Sequence, residues 1–240
     1  VRGNASSVVT ETVNSLTPTE GGGIVTLSAA NAAGITLAIT STTPLANQSS
    51  TSSLLLRGDN LGLGTASAGT AAITTSGGLG GTNNTFTMTI RPDVIADASA
   101  TGLGTGFLVR DSAGGFLRPL NPATELLLTA GTLTNTTTTL NVGLNTAQTL
   151  NSSAALNSLT FLPGVNFGTL AGAPDTTRLT VSGAGILAVS GSSTLSAPLL
   201  TSGGTTLDLQ VVGSSALTLN GAILSTAGVV KAGDGTLTFN

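Results

Sequence analysis

Four residue types are missing from this chain of 240 residues, which contains no Cys, His, Trp or Tyr. Without cysteine there is no thiol nucleophile and no thiolate metal ligand. Without histidine, a serine or threonine hydrolase triad lacks its usual general base. Without Trp or Tyr, a carbohydrate cleft lacks the aromatic platforms that it usually needs. We therefore predict that the protein is not an enzyme, and that it has no catalytic residue, no metal site and no cofactor.

Charged residues are scarce, at 7% of the chain against about 25% in ordinary globular domains. The seven Lys and Arg residues are scattered and the net charge is −3, which excludes the basic patch that nucleic-acid binding requires. No run of about 18 apolar residues is present, so we predict that the chain does not span a membrane. The first residue is Val1 rather than Met, and we expect a processed or partial product of a longer protein.

The residues that are abundant favour stacked β-strands. Hydrophobic residues make up 40% of the chain and recur every few positions, unlike in a disordered polar tract. The 33 glycines follow no collagen-like period. Thr and Val favour a pleated surface, whereas Gly and Asn favour the turns between strands. The composition therefore predicts an all-β protein of many short strands.

Alternation of apolar and polar residues locates strands in the first 90 residues, at 24–27, 35–39 and 86–90, with a shorter apolar run at 54–56. Ile73 is the best strand centre of a Gly-rich stretch between them. The same alternation predicts a set of inward-pointing residues along the whole chain. These are Ile35, Leu37, Ile39, Phe86, Met88, Ile90, Leu159, Phe161, Leu179, Val181, Leu207, Leu209, Leu217 and Leu219.

From Leu126 onwards, apolar centres recur at steps of about ten, sometimes twenty, residues, which is strand-plus-turn spacing. Two or three such steps make one turn of a solenoid. No helix is indicated that could connect the parallel strands of an open sheet, whereas a β-helix needs no such connection. We therefore predict a parallel β-helix, with an antiparallel sandwich as the alternative fold.

Residues 91–125 differ from the rest of the chain. They hold seven of the 17 charged residues and three of the eight prolines, and proline interrupts a strand ladder. We interpret this stretch as a protruding or corner segment between β-helix turns at 1–90 and at 126–240. Because loops on a rigid scaffold often carry function, we predict partner contacts at its charged residues. The candidate residues are Arg91, Asp93, Asp97, Arg110, Asp111 and Arg118.

The same charges allow an enzymatic interpretation. Some β-helix enzymes cleave polysaccharides with clustered Asp and Arg side chains and a cation, and two carboxylates about 5–9 Å apart can serve as acid and base. Arg91, Asp93, Asp97, Arg110 and Asp111 are the residues available for that chemistry. The simpler interpretation is a solvated surface loop whose charges pair with one another.

The last twelve residues, 229–240, contain two apolar residues, a Gly-Asp-Gly turn at 233–235 and an alternating Thr-Leu-Thr-Phe strand. This segment resembles the passenger-associated transport repeat, also called the autotransporter-associated β-strand repeat, whose core is Lys-x-Gly-x-Gly-Thr-Leu-x-Leu. The matching residues are Lys231, Gly233, Gly235, Thr236, Leu237 and Phe239. The family usually continues with another Gly and an Asn-Thr-Tyr-Thr-Gly segment, which is absent here. The segments 158–161 and 217–219 are similar to the same repeat.

This resemblance implies a right-handed parallel β-helix, a β-solenoid, as a single elongated domain on a secreted or surface-exposed bacterial protein. We expect the repeat to continue beyond residue 240. The function that it implies is a structural or adhesive module of a large extracellular protein, of a kind that can form a fibre. Its partners would then be further repeats of the same chain or head-to-tail copies of itself. The alternative function is a β-helix that binds or cleaves cell-surface or matrix polysaccharide.

Overall fold

The computed structural model describes residues 1–29, 33–41, 45, 51–133, 138–169, 177–196, 199–201 and 205–240. These residues form strands, turns and irregular segments without any helix, which confirms the all-β prediction. In place of the predicted single domain, they form two compact units. Unit 1 comprises Val1–Asn83 and Met88–Leu120, and unit 2 comprises Asn84–Thr87 and Asn121–Asn240.

The described part of unit 1 contains one eight-stranded sheet, in the order β1-β3-β5-β8-β7-β6-β4-β2. Its strands are β1 (Val9–Val13), β2 (Gly21–Leu27), β3 (Ile35–Ile39), β4 (Ser52–Gly58), β5 (Ala71–Thr75), β6 (Arg91–Asp97), β7 (Gly106–Arg110) and β8 (Phe116–Pro119). The strands predicted around 24–27, 35–39, 54–56 and Ile73 are therefore confirmed as β2, β3, β4 and β5.

The first six strands of unit 1 form two columns of parallel strands. In the first column β1 pairs with β3 and β3 with β5, so that Ile35 lies between Val9 and Ala71. In the second column β2 pairs with β4 and β4 with β6, so that Leu54 lies between Gly23 and Val94. Each pass of the chain thus adds one strand to each column.

The last two strands of unit 1 run against the columns. Strands β7 and β8 form an antiparallel pair, β8 is also antiparallel to β5, and β7 is antiparallel to β6. The hairpin β7–β8 therefore joins the two columns into one mixed sheet. Leu108 from β7 and Leu117 from β8 are buried in the same apolar cluster as Ile35 and Ile73.

This arrangement corrects the prediction that residues 91–125 protrude from the stack. Strands β6, β7 and β8 occupy most of 91–119 and lie inside the sheet. The prediction was wrong because it treated charge and proline as markers of a loop. Pro92 and Pro119 both lie within strands, and Phe107, Leu108 and Val109 are buried.

The strands of the described part of unit 2 form a second sheet in which every pairing is parallel. They are β9 (Leu127–Leu133), β10 (Asn141–Leu150), β11 (Ala154–Phe161), β12 (Asn166–Thr169), β13 (Leu179–Ala188), β14 (Ser192–Leu195), β15 (Leu199–Thr201), β16 (Leu207–Val211), β17 (Ala216–Leu219), β18 (Ile223–Leu224), β19 (Val229–Ala232) and β20 (Thr236–Phe239).

Pairing in unit 2 follows three columns. Column A contains the first halves of β9 and β10, the second halves of β11 and β13, and then β16 and β19. Column B contains the second halves of β9 and β10, and then β12, β14, β17 and β20. Column C contains the first halves of β11 and β13, and then β15 and β18.

From β10 onwards, consecutive strands of one column are separated along the chain by one strand of each other column. In column B, Phe167 of β12 pairs with Leu195 of β14, and Leu195 pairs with Leu219 of β17. In column A, Ile186 of β13 pairs with Leu209 of β16. From β11 onwards the chain visits columns C, A and B in that order, so each pass adds one strand to each column.

Four strands, β9, β10, β11 and β13, each serve two columns, and two of them carry extra residues at the bend. In β10 the register with β9 shifts between Leu144 and Gln148, and in β13 the register with β11 shifts between Val181 and Gly185. Ala184, in the second bend, has a positive φ of 58°, which non-glycine residues seldom adopt. The bends are β-bulges that turn the strand from one column into the next.

The interior of unit 2 is a stack of apolar side chains from all three columns. Column A contributes Phe161 and Leu209, column B contributes Phe167 and Leu217, and column C contributes Val181. Across both units, all predicted inward residues are buried except Phe86, which is 37% exposed. That exception has a local cause, because residues 83–87 form turns and a bend rather than the start of the predicted strand 86–90, and no alternation applies to them.

The Gly-Asp-Gly segment separates two strands as predicted, since β19 ends at Ala232 and β20 begins at Thr236. The two strands do not pair with each other as a hairpin would. Strand β19 pairs with β16 in column A and β20 pairs with β17 in column B. Gly233 has a φ of 80°, and a Cβ there would lie against the carbonyl oxygen of Val211. The segment is therefore a corner between columns.

Candidate functional site

The six candidate contact residues fall into local groups in unit 1, and each residue is engaged within the chain. The first group stands at the start of β6. Arg91 donates from Nε and Nη2 to the two carboxylate oxygens of Asp93, at 2.8 and 2.6 Å. Arg91 Nη1 also donates to the carbonyl oxygen of Leu45 at 2.6 Å. The bidentate pair holds the guanidinium against β6, and the Nη1 hydrogen bond ties the start of β6 to the chain near residue 45.

The second group stands at the end of β6. The buried Asp97 accepts hydrogen bonds from the backbone N–H groups of Ser99 and Gly104, each at 2.9 Å. Its register neighbour in β4 is Arg57, which donates to Thr26 Oγ1 and to the carbonyl oxygen of Gly102, both at 2.9 Å. Together the two side chains hold the loop between β6 and β7. Arg57 lies outside the charged stretch, so sequence reasoning missed it.

The third group surrounds the tip of the hairpin β7–β8. Asp111 accepts hydrogen bonds from the N–H groups of Ala113 and Gly114, at 3.0 and 2.9 Å, and from Asn83 Nδ2 at 2.6 Å. Arg118 Nε lies 3.5 Å from the same carboxylate. Arg118 also donates to Asn83 Oδ1 at 3.3 Å, so Asn83, Asp111 and Arg118 form one polar clip.

The electrostatics of this clip keep Asp111 ionised. Burial by itself raises the pKa of Asp111, because it disfavours the charged carboxylate. The hydrogen bonds from Gly114 and Ala113, the charge of Arg118 and the hydrogen bond from Asn83 outweigh burial, and the pKa lies below its ordinary value of 3.8. A carboxylate of this kind is an acceptor and an anchor rather than a general acid at neutral pH.

Arg110 acts at the junction between the hairpin and the first column. Its Nε and Nη2 atoms both lie 3.4 Å from the carbonyl oxygen of Thr75, the last residue of β5. The N–H group of Thr75 donates to the carbonyl oxygen of Gly115 in the hairpin turn at 3.1 Å. Both backbone groups of Thr75 therefore face the hairpin, and the guanidinium of Arg110 binds the backbone at the end of β5.

Unit 2 holds a buried carboxylate that sequence reasoning did not select as a site. Glu125 is fully buried, and its two oxygens accept the N–H groups of Asn84 at 3.1 Å and Asn121 at 2.9 Å. Its own N–H donates to the Asn121 carbonyl oxygen at 2.9 Å, which closes a single turn after Asn121. Glu125 thus fastens the 84–87 segment to the start of the main part of unit 2.

Neutral polar side chains are buried in column A. Asn141 Oδ1 accepts from Ser158 Oγ at 2.8 Å and from Asn157 Nδ2 at 2.7 Å. Three buried polar atoms of the described side chains have no hydrogen-bond partner: Thr129 Oγ1, Gln148 Oε1 and Ser182 Oγ. Gln148 and Ser182 lie at the two bulges, where the regular ladder is interrupted. Unpaired polar atoms therefore occur mainly at the corners.

The chemistry available to these groups is limited. Within the described ranges, no three His, Cys, Asp or Glu side chains come close enough together to hold a metal ion. The described residues also provide no helix that is long and apolar enough to cross a membrane. The contacts given above for the six candidate residues all lead to backbone groups or to side chains of unit 1, so the arrangement positions strands and turns.

The chain was compared with known families, proteins and structures. No protein-family model, no curated protein and no solved structure matches this chain.

Proposed function

We propose that this chain is a structural or adhesive module of a large secreted bacterial surface protein, built as a right-handed parallel β-helix. The observation that carries the proposal is the parallel pairing of unit 2 in three columns. A repeating pass of strand, corner, strand, corner and strand is what a solenoid requires. The resemblance of Lys231, Gly233, Gly235 and Thr236 to the autotransporter-type repeat supports the same assignment.

The contacts of the charged residues in unit 1 support a structural role. All six candidate contact residues have hydrogen-bond or ion-pair partners inside the chain. Side-chain exposure is 25% for Arg91 and 12% for Arg118, so these guanidinium groups offer little surface to another molecule. Contact with a partner at these residues remains a prediction, and fastening of strands is the role that their geometry favours.

The proposed partners are further repeats of the same protein or another copy of it. In column B, Phe239 of β20 is 57% exposed, whereas its register neighbour Leu219 in β17 is buried. Leu237, on the same strand, packs against the core cluster of unit 2. A further strand beside β20 would cover Phe239 and extend the same column, and repeated addition of this kind would give a fibre.

The test is to find where the protein lies on the cell that makes it. Antibodies raised against residues 1–240 should stain intact, unpermeabilised cells, and permeabilisation should add little signal. Staining that appears only after permeabilisation would contradict an extracellular module. The purified chain should also leave a panel of bacterial and matrix polysaccharides uncleaved. Release of reducing ends from any of them would favour the polysaccharide-cleaving alternative.

A further inference from the structure

The hairpin β7–β8 lies where the two parallel columns of unit 1 would otherwise continue. Strand β5 pairs with β3 along one edge, and its other edge faces β8, with Ile73 opposite Leu117 and Thr74 opposite Phe116. Strand β6 pairs with β4 along one edge, and its other edge faces β7, with Ala96 opposite Gly106. One hairpin thus occupies the outer edges of both columns.

An unoccupied strand edge is a hazard, because its free N–H and C=O groups accept strands from other chains. A parallel column is especially open, since each added strand presents the same edge again. An antiparallel strand breaks this repetition. Strands β7 and β8 also pair with each other, with Val109 opposite Arg118, so each of them uses both of its edges within the described sheet.

Three sets of contacts hold the hairpin β7–β8 firmly on the edges of β5 and β6. Arg110 and Gly115 bind the two backbone groups of Thr75 at the end of β5. The clip of Asn83, Asp111 and Arg118 holds the hairpin tip. Leu108 and Leu117 are buried in the core of unit 1.

We propose that the hairpin β7–β8 is a cap, which ends the parallel stack of unit 1 and closes the edges of β5 and β6 to strands of other copies of this protein. The charged stretch then serves to stop association at this edge rather than to bind a partner. This inference does not depend on the proposed function, because it concerns unit 1 alone and holds for any protein built on this sheet.

The first experiment removes the cap from the full chain. Residues 106–119 are replaced by a Gly-Ser linker of equal length, so that the connection between β6 and unit 2 is preserved. At micromolar concentration, light scattering should show much larger species than for the unaltered chain, while circular dichroism still shows β-structure. A synthetic peptide of residues 104–120 should reverse this association, because it can occupy the same edges. A folded variant that associates no more than the unaltered chain would overturn the proposal.

The second experiment decides the case if that variant does not fold. Because the chain has no cysteine, the double substitution Thr74→Cys and Phe116→Cys introduces a single cross-link between β5 and the cap. Thr10→Cys with Thr36→Cys gives a matched cross-link between β1 and β3, away from the cap.

At a temperature just below unfolding, oxidation of the cap cross-link should slow association by about tenfold or more relative to its reduced form. The matched cross-link should change the rate far less. Equal rates for the oxidised and reduced cap variants would overturn the proposal, whatever the outcome of the first experiment. Association through β20, as proposed for the function, would be unaffected by either cross-link, so the two ideas can fail separately.

Discussion

Both units of this protein are built from columns of parallel strands, but only unit 1 adds antiparallel strands and charged side chains that bind their backbone. Unit 1 has two columns, and an antiparallel hairpin bearing Arg110, Asp111 and Arg118 joins them. Unit 2 has three columns and only parallel pairings among its described strands. Its interior is a stack of Leu, Val, Ile and Phe, and the polar groups buried in column A are largely neutral.

The difference shows what a parallel stack needs in order to stop and in order to continue. To stop, unit 1 reverses the strand direction and holds the reversed hairpin with charged groups that reach backbone edges. To continue, unit 2 needs only a repeat of apolar residues on one face and tight corners between columns.

The largest effect should follow from a charge in the apolar stack of unit 2. Leu217 is fully buried between Ser193 of β14 and Leu237 of β20 in column B. We expect Leu217→Asp to lower the free energy of unfolding by about 3–5 kcal/mol, because an unpaired carboxylate would be buried. Denaturant unfolding measures this loss, and Leu128→Asp, at a residue that is 44% exposed, is the matched control.

Hydrogen exchange on the same variant tests whether the two units are separate. If they are, amides in β16, β17 and β20 should lose protection in Leu217→Asp while those in β3 and β5 keep theirs. Equal loss in both units would show that they unfold together as one cooperative structure.

The next effect concerns a corner of unit 2. Gly233→Ala should cost about 2 kcal/mol or more, because the residue has a positive φ and the added Cβ would meet the Val211 carbonyl oxygen. Gly228 also has a positive φ but has open space around the Cβ position, so Gly228→Ala should cost only about 1–2 kcal/mol. Thermal unfolding of both variants checks this difference, and equal costs would mean that the contact with Val211 is unimportant.

A smaller, pH-dependent effect is expected in unit 1. Asp111 has a lowered pKa in the folded protein, so the stability that it contributes is present above its unfolded pKa and is lost as pH falls through the folded value. Asp111→Asn should therefore cost about 1–2 kcal/mol at pH 7, and this difference from the unaltered protein should shrink as the pH falls below 3.8. Urea unfolding between pH 2 and 7 measures it, and a cost that stays constant down to the lowest pH would contradict the ionic role.

The smallest effect is expected from a neutral ladder at the end of column B. Asn220 Nδ2 donates to Ser196 Oγ at 3.0 Å, and Asn220 Oδ1 accepts from Asn240 Nδ2 at 2.9 Å. Asn220→Ala should cost about 0.5–1 kcal/mol, because these hydrogen bonds are exposed to solvent. In contrast to Asp111→Asn, the cost should be the same at pH 3 and pH 7, and a strong pH dependence would mean that an ionised group takes part in the ladder.

Much of the local structure was predictable from the sequence. Alternation at Ile35, Leu37 and Ile39 identified both the strand and its buried face. The Gly-Asp-Gly segment identified a turn whose first residue, Gly233, has a positive φ. These features depend on neighbours within a few residues, where side-chain spacing and backbone sterics act directly.

The candidate site was predictable only as a set of residues. The concentration of charge at 91–125 pointed to Arg91, Asp111 and Arg118, but their grouping with Leu45 and Asn83 depends on parts of the chain that are distant in sequence. At Phe86 the prediction was wrong, since the alternation of residues 86–90 predicted a strand that does not form.

Which side chains of a strand face the core follows from their alternation along the chain, because a strand exposes alternate side chains to opposite faces. Which edges the strands share, and the antiparallel direction of β7 and β8, follow only from the three-dimensional pairing. The reason is that strands pair through backbone N–H and C=O groups, which are the same at nearly every residue. The spacing of apolar residues therefore predicted parallel strands, as found in unit 2, but it predicted neither the reversed hairpin of unit 1 nor the partners of each strand.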